Sequence, residues 1–254
     1  MTRTSKDRSV ETHKYYFIFT TKYTFIVFDG ENIIKTTKML IQDYASYSNP
    51  KMKIGRLVKK GKLIPIIQGI YETDKSIPGY YLSGIIYDPS YLSFEFALSW
   101  YGLIPETVYN YTSASYSKKK KKEYDTYFGR FTYRDVPTSV YPYGTKIIEE
   151  NGYGFIIASE EKAICDELYK CSPCSNKKEL CALLFEDLRL DENTFWNADL
   201  DMMIELASLY KNKNHHLLIS LIKDKKNMDI IEKGPRNKQG TLYNLSVCLF
   251  GTGV

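Results

Sequence analysis

Asn49-Pro50 and Gly61 bracket a stretch that has few ways to fold. Asn is a helix N-cap residue, and Pro suits the first helical position, where its missing N–H has no partner to lose. Gly61 sits where a helix-ending Gly belongs, and Lys59 and Lys60 fill the last turn, the end that favours cations. Between these marks Ile54, Leu57 and Val58 recur at i, i+3, i+4, the stripe of a helix seated on one side. Upstream, Leu40, Tyr44 and Tyr47 recur at i, i+4, i+7 and predict a helix over 36–47. Downstream, Leu63 to Ile67 runs apolar, Gln68-Gly69 turns, and Ile70-Tyr71 returns. The predicted order is helix, tight connection, second helix, small β-ribbon.

The second helix is also the most basic part of the chain. Six of the thirteen residues from Pro50 to Lys62 are Lys or Arg, and none is acidic. From Lys35 to Lys62 the formal charge is +7, and the run Lys118 to Lys122 adds +5. The whole chain carries only +5, so the rest stands at −7. An acidic body with two basic patches points to an anionic partner. On a helix Lys53, Arg56 and Lys60 share one face, flanked by Lys51 and Lys59, away from the apolar stripe. That split suits a recognition helix, with one face docked and the other turned to the major groove and phosphates. The bland alternative is a solvated amphipathic helix; the neighbouring helix, the capped start and the ribbon favour nucleic-acid binding. Candidate DNA contacts are Lys51, Lys53, Arg56, Lys59, Lys60, Lys62 and, at the ribbon's turn, Gln68. Arg56 is the base-reading candidate, because its planar fork bonds guanine at two points; the lysines suit phosphates.

At 254 residues, 43% hydrophobic and 26% charged, the chain is of ordinary globular composition. Its 23 Tyr favour half-buried strands. After a polar stretch, Thr73 to Pro78, a short helix is predicted within Pro78 to Tyr87, stopped by Asp88-Pro89, and a second over FEFALSWY, capped by Ser93 and closed by Gly102. Strands are predicted at Thr107 to Thr112, Tyr124 to Tyr133, Val140 to Ile148 and Gly152 to Ile157. Helices follow: one capped by Ser159 with Glu160 and Glu161 in its first turn, then Lys177 to Leu188, Ala198 to Tyr210 and Asn214 to Lys223. The five-lysine run reads as a solvated hairpin tip. Tyr15 to Phe28 suits a strand or hairpin, and is too short and too broken by Thr20, Thr21 and Lys22 to span a membrane.

Three stretches together resemble a known family. SNPKMKIGRLVKKGKLIPIIQGIYETD is similar to the N-terminal winged helix of AbiEi-type antitoxins, transcriptional regulators of viral-defence (abortive infection) loci in type IV toxin–antitoxin systems. YLSFEFALSWYGLIPETVYNYTSA resembles that family's strand, capped helix and strand. GFIIASEEKAICDELY resembles its strand-then-helix signature, with Ala158-Ser159 before a Glu-Lys pair and Asp166 one turn on. The resemblance covers about Lys35 to Lys226 and implies a winged helix that binds double-stranded DNA at the promoter of its own operon. It also implies a second domain that acts against a co-encoded nucleotidyltransferase-like toxin without requiring a stable complex. The expected architecture is α+β: residues 1–34 unassigned, 35–75 a winged helix-turn-helix, 76–227 a mixed domain with strands first and helices after, and 228–254 a tail. Alternatives are a stand-alone winged-helix regulator and an interaction module binding a partner through the Tyr-rich domain.

Other chemistry finds little support. Five cysteines, with no secretory signal, point to reduced thiols in the cytoplasm. Cys171 and Cys174, with Cys165 and Cys181, have irregular spacing for zinc, and the pair follows a helix rather than opening one. No cofactor, metal site or membrane association is expected. His13, His215 and His216 build no catalytic set, and no phosphate loop or nucleophile elbow appears, so a non-enzymatic protein is expected. A pocket gathering distant acids such as Glu95 and Asp166 around a metal would indicate the contrary.

Overall fold

The computed structural model describes residues 15–20, 23–28, 34–118 and 120–233, with side chains over 34–118 and 120–228. The chain enters as a hairpin, β1 (Tyr15–Thr20) and β2 (Tyr23–Phe28), with Tyr15 opposite Phe28. The winged helix follows: β3 (Lys35–Thr36), α1 (Thr37–Asp43), α2 (Pro50–Lys59), β4 (Ile64–Ile67) and β5 (Ile70–Glu72). Its strands lie in the order β3-β5-β4. The helix predicted over 36–47 stops at Asp43. A residue before proline is pushed out of helical geometry, so the chain must unwind ahead of Asn49, which sits at φ −142°, ψ 86°.

The larger unit carries a 3-10 turn (Gly79–Leu82) running into α3 (Ser83–Ile86), then β6 (Ser90–Leu92), α4 (Phe94–Trp100), β7 (Asn110–Ser115), β8 (Lys122–Thr126), β9 (Gly129–Asp135), β10 (Thr145–Glu150) and β11 (Tyr153–Ala158). Five helices close it: α5 (Glu160–Lys170), α6 (Lys177–Ala182) with a π-turn over Leu183–Asp187, α7 (Glu192–Asn197), α8 (Leu200–Tyr210) and α9 (Lys213–Lys233). The fold is α+β, a small winged helix followed by strands and then helices. The main sheet runs β1-β2-β11-β6-β7-β9-β8, with β10 on the outer side of β11. The opening hairpin therefore belongs to the sheet of the larger unit through Tyr153 opposite Val27. In chain order, the winged helix is inserted between β2 and the remaining strands. Residues 1–14 and 234–254 lie outside the described residues. No helix among the described residues is long and apolar enough to cross a membrane.

Several expectations need correction. The run Tyr124 to Tyr133 is two strands, turned between Thr126 and Gly129. Gly129 adopts φ +123°, and a Cβ there would lie 2.9 Å from the Tyr111 ring, so only glycine fits. The strand expected from Val140 begins at Thr145, since Val140 to Gly144 turns. Ser93 holds the N-cap position of α4, yet its hydroxyl makes no capping bond; it donates to Asp166 Oδ2 at 2.6 Å. The five-lysine run is no hairpin tip. Lys118, Lys120 and Lys121 lie on the crossover from β7 to β8, which are separated in the sheet by β9, and Lys122 opens β8.

Two hydrophobic clusters hold the molecule. The small one, Leu40, Ile54 and Leu63, joins α1, α2 and the approach to β4, with Ile41, Tyr44, Leu57, Val58 and Tyr71 against it. The large one spans the main sheet and the C-terminal helices, and includes Ile34, Ile64, Ile66 and Ile70. Alternation explains the sharing: β4 and β5 send Ile64, Ile66 and Ile70 to one face of the wing sheet and Tyr71 to the other. Glu72, fully buried on that first face, accepts from Tyr153 of β11 at 3.1 Å and from the backbone N–H groups of Thr73 at 2.6 Å and Asp74 at 3.1 Å.

Candidate nucleic-acid interface

Helix α2 is set by its two ends. Asn49 Oδ1 accepts from Met52 N at 3.0 Å, and Pro50 follows at the first helical position. At the other end Gly61 N donates to Val58 O at 2.9 Å and Lys62 N to Leu57 O at 3.0 Å, with Gly61 at φ +64°. This pair of bonds is a Schellman closure and satisfies carbonyls that the helix leaves open. Helix α1 is capped by Thr36, whose hydroxyl accepts from Met39 N at 3.2 Å, and Thr37 N donates to Gly69 O at 2.8 Å. The turn of the wing is thereby tied to the start of α1.

Of the predicted contacts, Lys51, Arg56, Lys59, Lys60, Lys62 and Gln68 are exposed. Lys53 is half-buried, its ammonium 4.5 Å from the centre of the Tyr47 ring and 5.9 Å from that of Tyr44. The structure brings Lys51, Lys53, Arg56 and Lys59 onto α2, with Lys60 at its C-cap and Lys62 just past its end; Gln68 stands apart, at the turn of the wing. Among the described residues no carboxylate forms an ion pair with any of the six cations. Several basic groups elsewhere are paired. Arg134 and Lys170 both bind Glu95, at 3.2 and 2.6 Å; Lys35 lies 3.6 Å from Asp43, and Lys226 2.5 Å from Asp201. Among the described residues the charge of α2 is thus left without a carboxylate partner.

A concavity of about 270 Å³ runs along this face, lined by Tyr47, Ser48, Asn49, Met52, Lys53, Arg56, Leu57 and Lys60. Arg56 Nη2 donates to Met52 Sδ at 3.2 Å, one turn back along the helix. Tyr47, expected in the core stripe, is 48% exposed because α1 ends before it, and Met52 is 52% exposed. Sequence reasoning missed these two as part of the surface. The i, i+4 spacing of Met52 and Arg56 was the available signal. The five-lysine crossover is not adjacent. The far end of β8 lines a second groove with Val58, Gly61 and Leu63, and the lysines lie at its other end, about 13 Å away by strand rise.

A second polar constellation lies deep in the larger unit. Lys162 Nζ donates to Asp166 Oδ1 at 3.1 Å and to the Tyr210 hydroxyl at 2.5 Å, and both side chains of the ion pair are fully buried. Tyr91 and Ser93 donate to Asp166 Oδ2 at 3.0 and 2.6 Å. Burial, then the Asp166 charge, pushes the Tyr91 and Tyr210 hydroxyls well above their ordinary range, so both stay protonated and donate to Asp166, while Tyr210 also accepts from Lys162. This network joins α5 to β6, α4 and α8. Glu95 and Asp166 gather no metal: each is held by its own cations, and no group of three or more His, Cys, Asp or Glu among the described residues is placed to hold one. Cys165, Cys171, Cys174 and Cys181 are free thiols. Burial pushes all four up, Cys171 to about 11, which leaves them protonated and poorly nucleophilic. Comparison with known proteins finds no family model that matches the chain and no curated protein similar to it.

Proposed function

We propose that this chain is a DNA-binding antitoxin and autorepressor of the AbiEi type. Its winged helix binds double-stranded DNA at the promoter of its own operon, and the larger unit acts against a co-encoded nucleotidyltransferase-like toxin. The observation that carries the DNA reading is the uncompensated basic face of α2. Six cations, without a carboxylate partner among the described residues, sit on and beside a helix seated by its own small core and followed by a wing. Self-repulsion on such a face is relieved when a polyanion arrives and releases its counterions. Lys51, Lys59, Lys60 and Lys62, exposed around the helix, suit phosphates; Arg56, next to the concavity, suits a base edge. The role against a toxin rests on the resemblance of the stretches YLSFEFALSWYGLIPETVYNYTSA and GFIIASEEKAICDELY.

A gel shift with the DNA upstream of the protein's own gene tests the reading. Binding at low salt is expected, with log affinity falling against log salt at a slope of about −0.9 per phosphate contact. Replacing Arg56 and Lys60 by Ala together should abolish the shift while the unfolding midpoint holds. No binding of the wild-type protein at low salt would overturn it.

A further inference from the structure

We infer that the concavity of α2 reads a methyl group on the pyrimidine that precedes a guanine, a thymine–guanine step in unmodified DNA. The inference rests on α2 being a major-groove helix, and it adds what that helix prefers. Arg56 is the only side chain on the face with a planar donor fork, and its guanidinium is already held 3.2 Å from the Met52 sulfur. A thioether is a weak acceptor, so the remaining donors stay available for guanine O6 and N7.

Beside Arg56 the concavity offers two exposed apolar side chains, Met52 and Tyr47, within a lining that also holds Ser48, Asn49, Lys53 and Lys60. Met52 and Tyr47 stand half exposed in the middle of a cationic surface, and among the described residues nothing covers them. Residues that read other bases are missing or occupied. Helix α2 carries no acid to accept from a cytosine amine, and no Gln. Asn49 has its carbonyl oxygen engaged with Met52 N. Lys53 is held over the Tyr47 ring, away from a free swing. An apolar floor beside an arginine fits one arrangement in the major groove. When a guanidinium bonds guanine, the C5 position of the preceding pyrimidine lies beside it, and a methyl there meets the Met52 side chain and the Tyr47 edge.

The test uses the full chain and a duplex selected from a random pool. Four versions differ at one step: thymine–guanine, deoxyuracil–guanine, cytosine–guanine and 5-methylcytosine–guanine. By the transfer value of one methyl group, uracil for thymine should weaken binding about fourfold. 5-Methylcytosine should bind tighter than cytosine by about the same factor, since that pair too differs by one methyl group. Met52→Ala should erase the difference between thymine and uracil; because Met52 is exposed, its unfolding midpoint should match the wild type. Lys59→Ala should weaken all four duplexes equally. Equal affinity for thymine and uracil in the wild type would overturn the methyl reading and leave DNA binding standing. Failure to bind any duplex at low salt would overturn both.

Discussion

Replacing Arg56 by Lys keeps the charge of α2 and removes its planar fork. The salt slope should stay as it is, while discrimination between the preferred duplex and a scrambled one falls by about 1–3 kcal/mol in competition binding. Lys59→Ala should do the opposite, lowering the slope by about one and leaving discrimination intact. Gly61 is a different kind of position. Its φ of +64° and the Lys75 ammonium, which would stand 3.0 Å from an added Cβ, make Gly61→Ala costly by roughly 1–2 kcal/mol in urea unfolding. His215 sets a pH dependence. Burial lowers its pKa to about 4, the donated bond to the Cys165 carbonyl works the other way, and the Lys162 and His216 charges add to the lowering. The unfolded imidazole titrates near 6.5, so the unfolded chain holds the extra proton between those values. The contribution is fully present above pH ~6.5 and disappears as pH falls towards about 4, on the order of 3 kcal/mol. Urea midpoints from pH 7 to 4 should show it, and an unchanged slope in His215→Gln would refute the assignment.

Helix α2 was legible because its signals are local. Asn49, Pro50 and Gly61 act within four residues of themselves, and the stripe of Ile54, Leu57 and Val58 needs only helical spacing. The same holds for Ser159, which caps α5 through Lys162 N at 3.2 Å. Elements set by distant partners were not legible. Strand β6 has three residues between a proline turn and a helix; only the family resemblance of YLSFEFALSW suggested a strand there, since it exists because Leu92 meets Ile157 and Ser113. Helix α7 was missed, although Asp191 caps it through Thr194 N at 2.7 Å. Ser93 looked like a cap because Asp166, 73 residues away, leaves no trace in the local pattern. The exposed Tyr47 and Met52 were obscured by the reading of aromatic spacing as core. The small cluster under α2 has only Leu40, Ile54 and Leu63 fully buried, so one cavity weakens all of it. Ile54→Ala should cost about 2–5 kcal/mol locally and weaken DNA binding more than any single lysine change, with faster amide exchange in α1 and α2 as the readout.

At the scale of the molecule, the Lys162–Asp166 pair illustrates why breaking and replacing differ. Asp166→Ala strands a buried ammonium and should cost about 3–5 kcal/mol, whereas Lys162→Met with Asp166→Leu should cost less. Calorimetric or urea unfolding of the three proteins decides this. The wing sheet is the other feature of this scale. Its Ile64, Ile66 and Ile70 lie in the core of the larger unit, and Glu72 is bonded to Tyr153. The winged helix is therefore built into the body. Thermodynamic linkage then applies to the whole chain: a ligand held by α2 stabilises every element that unfolds with it. At a hundred times its dissociation constant, DNA should add about 2.7 kcal/mol. That gain should appear as slower proteolysis within α8 and α9, helices that make no contact with the duplex.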